Sequence, residues 1–298
     1  MSLPPDNHVH TEWSWDAIHG EMEATCARAA ELGLPSVAFT EHVDLMRWHM
    51  PITADERMEW RNGERGGHFQ RLEQYIGPDG YFEAPPLDVE GYLASVERCR
   101  ARFPGLRILT GVELGEPHVY ADRVAALLAQ ASFDRKLGSL HSMPLDGAMY
   151  EVNSLYQRWP AERGPVELVR GYLVEAVKMI ESASSFAILA HVDYPARRWP
   201  AATGTPFEPQ QFEEEYRAVL AALARSGRAL EVNTRLPMDA TIVRWWFEVG
   251  GDAVSFGSDA HNSDALATGF SDAAAMVEAQ GFRPGKAPDD FWVRRLIS

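Results

Sequence analysis

The sequence predicts an α/β protein: a closed barrel of parallel strands wrapped by helices. Three observations predict it. Seven short apolar runs alternate with seven helical patterns along the chain, and that order implies a parallel sheet. Most of the runs lack polar–apolar alternation, as strands covered on both faces do. Six of the ten histidines, with several carboxylates, stand at the ends of these runs, and parallel strands in a barrel direct their carboxyl ends to one face. An open doubly wound sheet is the alternative, but it gathers ligands at one switch point rather than after nearly every strand. Seven units, against the eight of a conventional barrel, make this one irregular.

The elements follow in order. Leu3 to His10 is the first strand, and Glu21 to Leu32 a helix ended by Gly33, a residue suited to the left-handed backbone after a last turn. Ser36 to Thr40 is the second strand. Asp44 to Asp88 then breaks the rhythm: it is rich in Gly, Pro and Trp, has no clear strand, and carries Trp48, Trp60 and Gly66-Gly67. Insertions of this length in compact domains are commonly lids or binding loops, and this one reads as a lid over the strand ends. A helix from Val89 to Arg102 stops before Pro104-Gly105. Strands at Arg107 to Glu113, Arg135 to Leu140, Phe186 to Ala190, Ala229 to Val232 and Ala253 to Gly257 alternate with helices at Ala121 to Ala131, Val166 to Ala183, Gln210 to Ser226, Ala240 to Val249 and Asp272 to Gln280. Gly227 and Gly281 close two of these helices. No internal repeat or low-complexity tract is visible, and residues 1–298 read as one barrel domain with an insertion at about 44–88.

Composition narrows the function. The 298 residues are 46% hydrophobic, enough for one large core. No stretch of eighteen apolar residues predicts a membrane span, and the first residues show no signal-peptide pattern. Cys26 and Cys99 lie far apart in helical segments without metal-type spacing, which suits a reduced, cytoplasmic setting. A net charge of −15 argues against nucleic acid. An acidic chain can still take a small phosphate ester if bound metals provide local positive charge.

Residue spacing points to those metals. His8 and His10 flank Val9, and i and i+2 on a strand project to the same side, so both imidazoles can hold one ion. Asp259-Ala260-His261 repeats the spacing after the last strand. Asp16, Glu41-His42, Glu113, His141 and His191 complete a set of imidazoles and carboxylates, the ligands that divalent Zn, Mn or Fe prefer. This reads as a multinuclear metal hydrolase. His19, His49, His68 and His118 fall away from strand ends and read as surface or lid residues, with His118 the nearest to the site. At least one of Trp245-Trp246 reads as core. Trp13 and Trp15 suit either a pocket wall or packing, and Ser139 and Ser142 have no base arranged to make either a nucleophile.

The stretches Asp6-Asn7-His8-Val9-His10-Thr11-Glu12, Phe39-Thr40-Glu41-His42, Leu109-Thr110-Gly111-Val112-Glu113, Leu137-Gly138-Ser139-Leu140-His141, Leu189-Ala190-His191-Val192-Asp193, Glu231-Val232-Asn233-Thr234 and Gly257-Ser258-Asp259-Ala260-His261 together resemble the polymerase and histidinol phosphatase (PHP) family. Within it the chain is most similar to the histidinol-phosphate phosphatases. The resemblance runs from end to end. It implies a distorted (β/α)7 TIM-like barrel with three divalent ions, Zn, Mn or Fe. One would be held by His8, His10, Glu113 and Asp259, a second by Glu113, His141 and His191 with Glu113 bridging, and a third by Asp16, His42 and His261. Some family members carry histidine where this chain has Asp16. The implied activity is hydrolysis of L-histidinol phosphate, a small-molecule substrate. Other esters (sugar, nucleotide or cyclic phosphates) are the alternative, and a non-catalytic metal-binding module is disfavoured because every ligand position is filled.

The expected chemistry is in-line attack on phosphorus by a metal-bridging hydroxide, since bound metals lower the pKa of water from about 15.7 towards about 7. Asp16, His261 and Glu113 are the expected catalytic groups, with the alcohol leaving near Asp16. Arg197, Arg235 and Arg198, in loops after strands, are candidates to grip the phosphate through the planar guanidinium; Arg158 is a more distant one. Asp6, Glu41 and Asp193 are expected to orient the ligating histidines.

Overall fold

The computed structural model describes residues 3–50, 72–156, 159–160 and 162–295. Seven parallel strands follow one another in space as they do in sequence: β1 (Asp6–Val9), β2 (Ser36–Val43), β3 (Arg107–Gly115), β4 (Arg135–Ser139), β5 (Ile188–Leu189), β6 (Ala229–Asn233) and β7 (Ala253–Gly257). The crossings are made by α1 (Met22–Leu32), α2 (Val89–Arg102), α3 (Ala121–Leu128), α4 (Gly164–Ser182), α5 (Glu213–Ser226) and α6 (Ala240–Glu248), and α7 (Phe270–Ala279) follows β7. Gly33 and Gly227 end α1 and α5 at φ 68° and 71°, the left-handed conformation expected there.

The sheet curls until its ends meet. Val9 and Ala260 bridge in parallel; the His10 N–H donates to the Ala260 carbonyl and the Asp259 N–H to the His8 carbonyl, each at 2.8 Å. The backbone that closes the barrel is therefore that of His8, Val9, His10, Asp259 and Ala260. Closure is confined to the carboxyl ends. Nearer its start, β7 pairs instead with an antiparallel strand, Trp292–Arg294, which in turn pairs with Phe282–Arg283. That competition for the β7 edge distorts the barrel.

Two apolar layers clamp the strands. One packs α4, α5 and α6 through Leu168, Tyr172, Met179, Tyr216, Leu220, Trp245 and Trp246, with both tryptophans buried. The other packs α1 and α2 against β2 and β3 through Cys26, Val37, Phe39, Tyr92, Val96 and Val112. Both cysteines are free and buried. Among the described residues no helix is long and apolar enough to cross a membrane.

The structure departs from the sequence reading at three places. β2 and β3 run to Val43 and Gly115, so Glu41 and His42 lie inside a strand rather than after it and Glu113 inside one rather than at its end; Glu41 is hydrogen-bonded to Thr11 and Ser14, which offsets the penalty for carrying it through a buried strand. The insertion, expected to have no strand, contributes Arg47–His49 and Tyr81–Glu83 as an antiparallel pair on which Trp48 stacks over its cross-strand partner Phe82 at 5.3 Å. Trp60, Gly66, Gly67 and His68 lie outside the described residues, as does Arg158, and with them the middle of the expected lid. A hairpin of Ser142–Leu145 and Ala148–Glu151 follows β4. Its turn, Asp146-Gly147, has positive φ at both positions (50° and 85°), the geometry that an Asp-Gly pair favours.

Tyr92 ties α2 to the barrel wall. Its buried hydroxyl donates to the Phe39 carbonyl of β2 at 2.7 Å and accepts from the Gly111 N–H of β3 at 2.8 Å. Tyr92→Phe strands two buried backbone groups and is expected to cost about 1–3 kcal/mol in chemical denaturation; an unchanged unfolding midpoint would show that those groups find other partners.

Candidate metal centre

The residues predicted from strand ends converge on one carboxylate. Glu113 enters on β3, fully buried. Its Oε2 lies 3.2 Å from His8 Nε2, 3.4 Å from His10 Nε2 and 3.0 Å from His42 Nδ1. Its Oε1 lies 2.8 Å from His191 Nε2 and 3.2 Å from His141 Nε2, and also accepts from Ser139 Oγ at 2.5 Å. The two oxygens thus face two histidine groups. Beyond them, Asp16 Oδ1 is 3.4 Å from His42 Nε2, its Oδ2 is 3.0 Å from His261 Nε2, and Asp259 Oδ1 is 3.6 Å from His10 Nε2.

These separations fit cations. Ligands about 2.0–2.1 Å from one ion stand roughly 3.0–3.4 Å from each other. His8 Nε2 and His10 Nε2 face each other at 3.0 Å, where two lone pairs would repel unless something positive lies between. Glu113 Oε2, Asp16 Oδ1 and His42 Nδ1 are buried without an aligned hydrogen-bond partner, although imidazole or carboxylate atoms stand close by. They are aimed at shared points rather than at one another. The tightest three-residue sets are His8 with His10 and Glu113, His42 with Glu113 and His141, and His10 with His42 and His261. His42 and His10 therefore stand between groups that the resemblance kept separate, and their rings stack at 4.1 Å.

Charge gives the same answer. Burial pushes the Glu113 carboxyl up, but His8, His141 and His42 outweigh it and hold the group well below its ordinary range. Burial pushes His8 down, yet Glu231 and Glu113 lift it well above its ordinary value. The carboxylates call for positive charge here, and divalent cations supply it in a form that protons on imidazole only imitate.

The far sides of three rings are anchored, those of His8, His10 and His141. His8 Nδ1 donates to Glu231 Oε1 at 2.6 Å, and Glu231 Oε2 also takes the His191 N–H at 2.7 Å. His141 Nδ1 donates to Asp44 Oδ1 at 2.9 Å. His10 Nδ1 meets Ser14 Oγ at 3.0 Å, and that hydroxyl donates to Glu41 Oε2 at 2.5 Å. Each contact leaves Nε2 with its lone pair pointing inward, the arrangement that fixes a ligating imidazole. Gly257 and Gly115 make two of them possible. A Cβ at Gly257 would meet Glu231 Oε1 and His8 Cβ, and one at Gly115 would meet Asp44 Oδ1. His191 and Asp259 sit at positive φ, 25° and 53°, a strain of order 1–3 kcal/mol that concentrates at functional sites.

Of the residues expected to orient histidines, Glu41 does so through Ser14. Asp6 does not: its carboxylate holds the backbone N–H groups of Ser258, His8 and Ala267, fixing the closing strands rather than a ring. Asp193 has no hydrogen bond to an imidazole among the described residues; burial pushes its carboxyl up to about 6, against the opposing pull of Arg197. Sequence reasoning missed Glu231, Asp44 and Ser14. Asp44 stands two residues after His42, a same-face spacing that could have flagged it.

The cluster opens into a cavity of about 430 Å³ lined by Asp16, His42, Glu113, His141, His191, Asp259 and His261, with Arg197, Arg198 and Arg235 on its wall. Arg197 Nη2 donates to Asp259 Oδ2 at 2.7 Å and packs over the Tyr194 ring. Arg235 Nη1 lies 3.1 Å from Asp259 Oδ1 and its side chain is 48% exposed. Arg198 is exposed and has no acidic partner among the described residues. Trp15 lines the cavity, whereas Trp13 packs near Gly91. His49 pairs with Tyr150 and His118 with Glu175, both outside the cluster.

A family model described as PHP domain matches residues 6–235. The chain belongs to that family. A histidinol-phosphatase of Lactococcus lactis subsp. lactis is 24% identical over 285 residues, 93% of this chain and 91% of that protein. The solved histidinol phosphate phosphatase of Lactococcus lactis, complexed with zinc, L-histidinol and phosphate, has a TM-score of 0.73 at 19% identity, covering 97% of this chain and 98% of that one. A solved chain from Listeria monocytogenes has a TM-score of 0.66 at 19% identity over 90% of this chain and 99% of its own. The distorted barrel is thus the architecture of this PHP chain.

Glu231→Gln keeps the shape but weakens the His8 anchor. It is expected to lower metal affinity by about 10–100-fold, read by competition with a chelator, with the circular dichroism spectrum retained. Undiminished affinity would remove Glu231 from the centre.

Proposed function

We propose that the chain is a phosphomonoesterase that hydrolyses L-histidinol phosphate to L-histidinol and phosphate, using as many as three divalent cations. The observation that carries the reading is the two-sided Glu113 carboxylate, flanked by five imidazoles and opening on an arginine-walled cavity. The relatives named as histidinol-phosphatases supply the substrate.

His8, His10, Glu113 and Asp259 would hold one cation, Glu113, His141 and His191 a second, and Asp16, His42 and His261 a third. Bound there, divalent cations neutralise the phosphate dianion and acidify water. The chain's own groups do the rest. Arg235 and Arg198 reach the cavity with donors to spare for phosphate oxygens, while Arg197, buried against Asp259, keeps that carboxylate in place. Asp16 Oδ2 and His261 Nε2, 3.0 Å apart at the cavity wall, would place the third cation where the alcohol departs, and its charge would offset that of the leaving oxygen. No side chain is set up as a covalent nucleophile: the Ser139 hydroxyl is committed to Glu113, and Ser142 does not line the cavity.

Water therefore attacks phosphorus directly. Hydrolysis of a chiral phosphate ester in labelled water is expected to invert configuration; retention would demand a phosphoryl-enzyme and contradict the scheme. A panel of phosphate esters assayed with added Mn or Zn is expected to give fastest release from L-histidinol phosphate. Release from other esters alone would overturn the substrate, and no release from fully loaded protein would overturn the activity. His141→Ala and Glu113→Gln should each lower turnover by more than the roughly 10–100-fold typical of losing a ligand's supporting partner, with the fold intact; wild-type rates in either would refute the ligand assignment.

A further inference from the structure

We propose that Glu151 sets substrate specificity by receiving the ammonium group of an amino-alcohol phosphate. This rests on the reading that the cluster end of the cavity takes the phosphate.

Four acids line the cavity: Asp16, Glu113, Asp259 and Glu151. The first three face the imidazoles or arginines of the cluster. Of these four, Glu151 alone has no ion-pair partner among the described residues. Its carboxylate accepts the N–H groups of Asn153 and Ser154, each at 2.8 Å, and the Tyr194 hydroxyl at 3.1 Å. An ionised carboxylate has about four acceptor positions, so one remains open. Asn153 lines the same cavity, and its Oδ1 is buried without a donor. Two neighbouring acceptors thus lack a donor. An alkylammonium, with three N–H donors, no acceptor and a positive charge, satisfies both and neutralises the unbalanced acid.

The placement suits a short substrate. The Tyr194 ring lies 4.9 Å from the His191 ring and 5.7 Å from the His141 ring, and its hydroxyl reaches Glu151. One tyrosine therefore spans from the cluster to this carboxylate, and an ester carrying its amine a few bonds from the phosphate spans the same gap. Trp15 and Trp48 line the cavity as well, giving aromatic faces to the rest of the alcohol.

The test compares L-histidinol phosphate with its desamino analogue in metal-loaded wild-type and Glu151→Gln enzyme. Glutamine keeps one of the two oxygens that cap the short helix at Val152–Leu155, and circular dichroism checks the fold. The wild-type preference in kcat/KM for the amine-bearing ester is expected to collapse by about 10–100-fold, as a charge-assisted hydrogen bond commonly commands, chiefly through KM. Asn153→Ala should reduce it in the same direction by less. An unchanged preference, whether both esters slow together or neither does, would leave Glu151 a helix cap and overturn the proposal. Calorimetric titration separates the two readings. If wild-type protein binds phosphate and Glu151→Gln binds L-histidinol as tightly as wild type, the Glu151 proposal fails alone. If wild-type protein binds neither phosphate nor L-histidinol, both fail.

Discussion

One buried carboxylate organises this molecule. Glu113 sits in the middle of a strand at the heart of the barrel, with five imidazoles within 3.4 Å of its two oxygens. A lone buried carboxylate is costly unless charge and hydrogen bonds compensate it. Compensation comes from β1, β2, the turn after β4 and the turn after β5, so the strand ends must meet at this point. Barrel closure and site assembly are one event: the hydrogen bonds joining β1 to the end of β7 run through the backbone of His8, His10, Asp259 and Ala260. A change that loosens this seam loosens the ligands with it.

Around that centre stands a second layer that orients three of the imidazoles, His8, His141 and His10. Glu231, Asp44 and the Ser14–Glu41 pair hold the outer nitrogens. Their approach is close enough that glycine is required at positions 257 and 115. The cavity wall beyond carries Arg235, Arg198, Tyr194 and Glu151.

Much of this was legible in the sequence. Short apolar runs, most of them without alternation, marked the seven strands, and helix-ending glycines such as Gly33 and Gly227 marked crossings correctly. The His8–His10 and Asp259–His261 spacings marked ligands, and the structure shows that the barrel seam runs through the same residues. What stayed hidden has physical reasons. Glu231 is a single acid in a buried strand, and nothing in its immediate spacing distinguishes an acid that holds an imidazole from one that faces water; Asp44 offers only its same-face spacing from His42. Asp6, adjacent to the ligand motif, was read as a ring partner because proximity in sequence does not say that its carboxylate turns back to the chain. The Asp146-Gly147 hairpin, which carries the carboxylate of Glu151 at its end, is an excursion within the β4-to-α4 connection that the strand–helix alternation does not predict.

The central claim is that these side chains meet in order to hold cations. Anomalous X-ray scattering at the Mn or Zn edge, from crystals grown with that metal, tests it most directly. The account predicts peaks beside Glu113 Oε2 with His8 and His10, beside Glu113 Oε1 with His141 and His191, and among Asp16, His42 and His261. Well-ordered ligand side chains with no anomalous peak among them, at saturating metal, would contradict it.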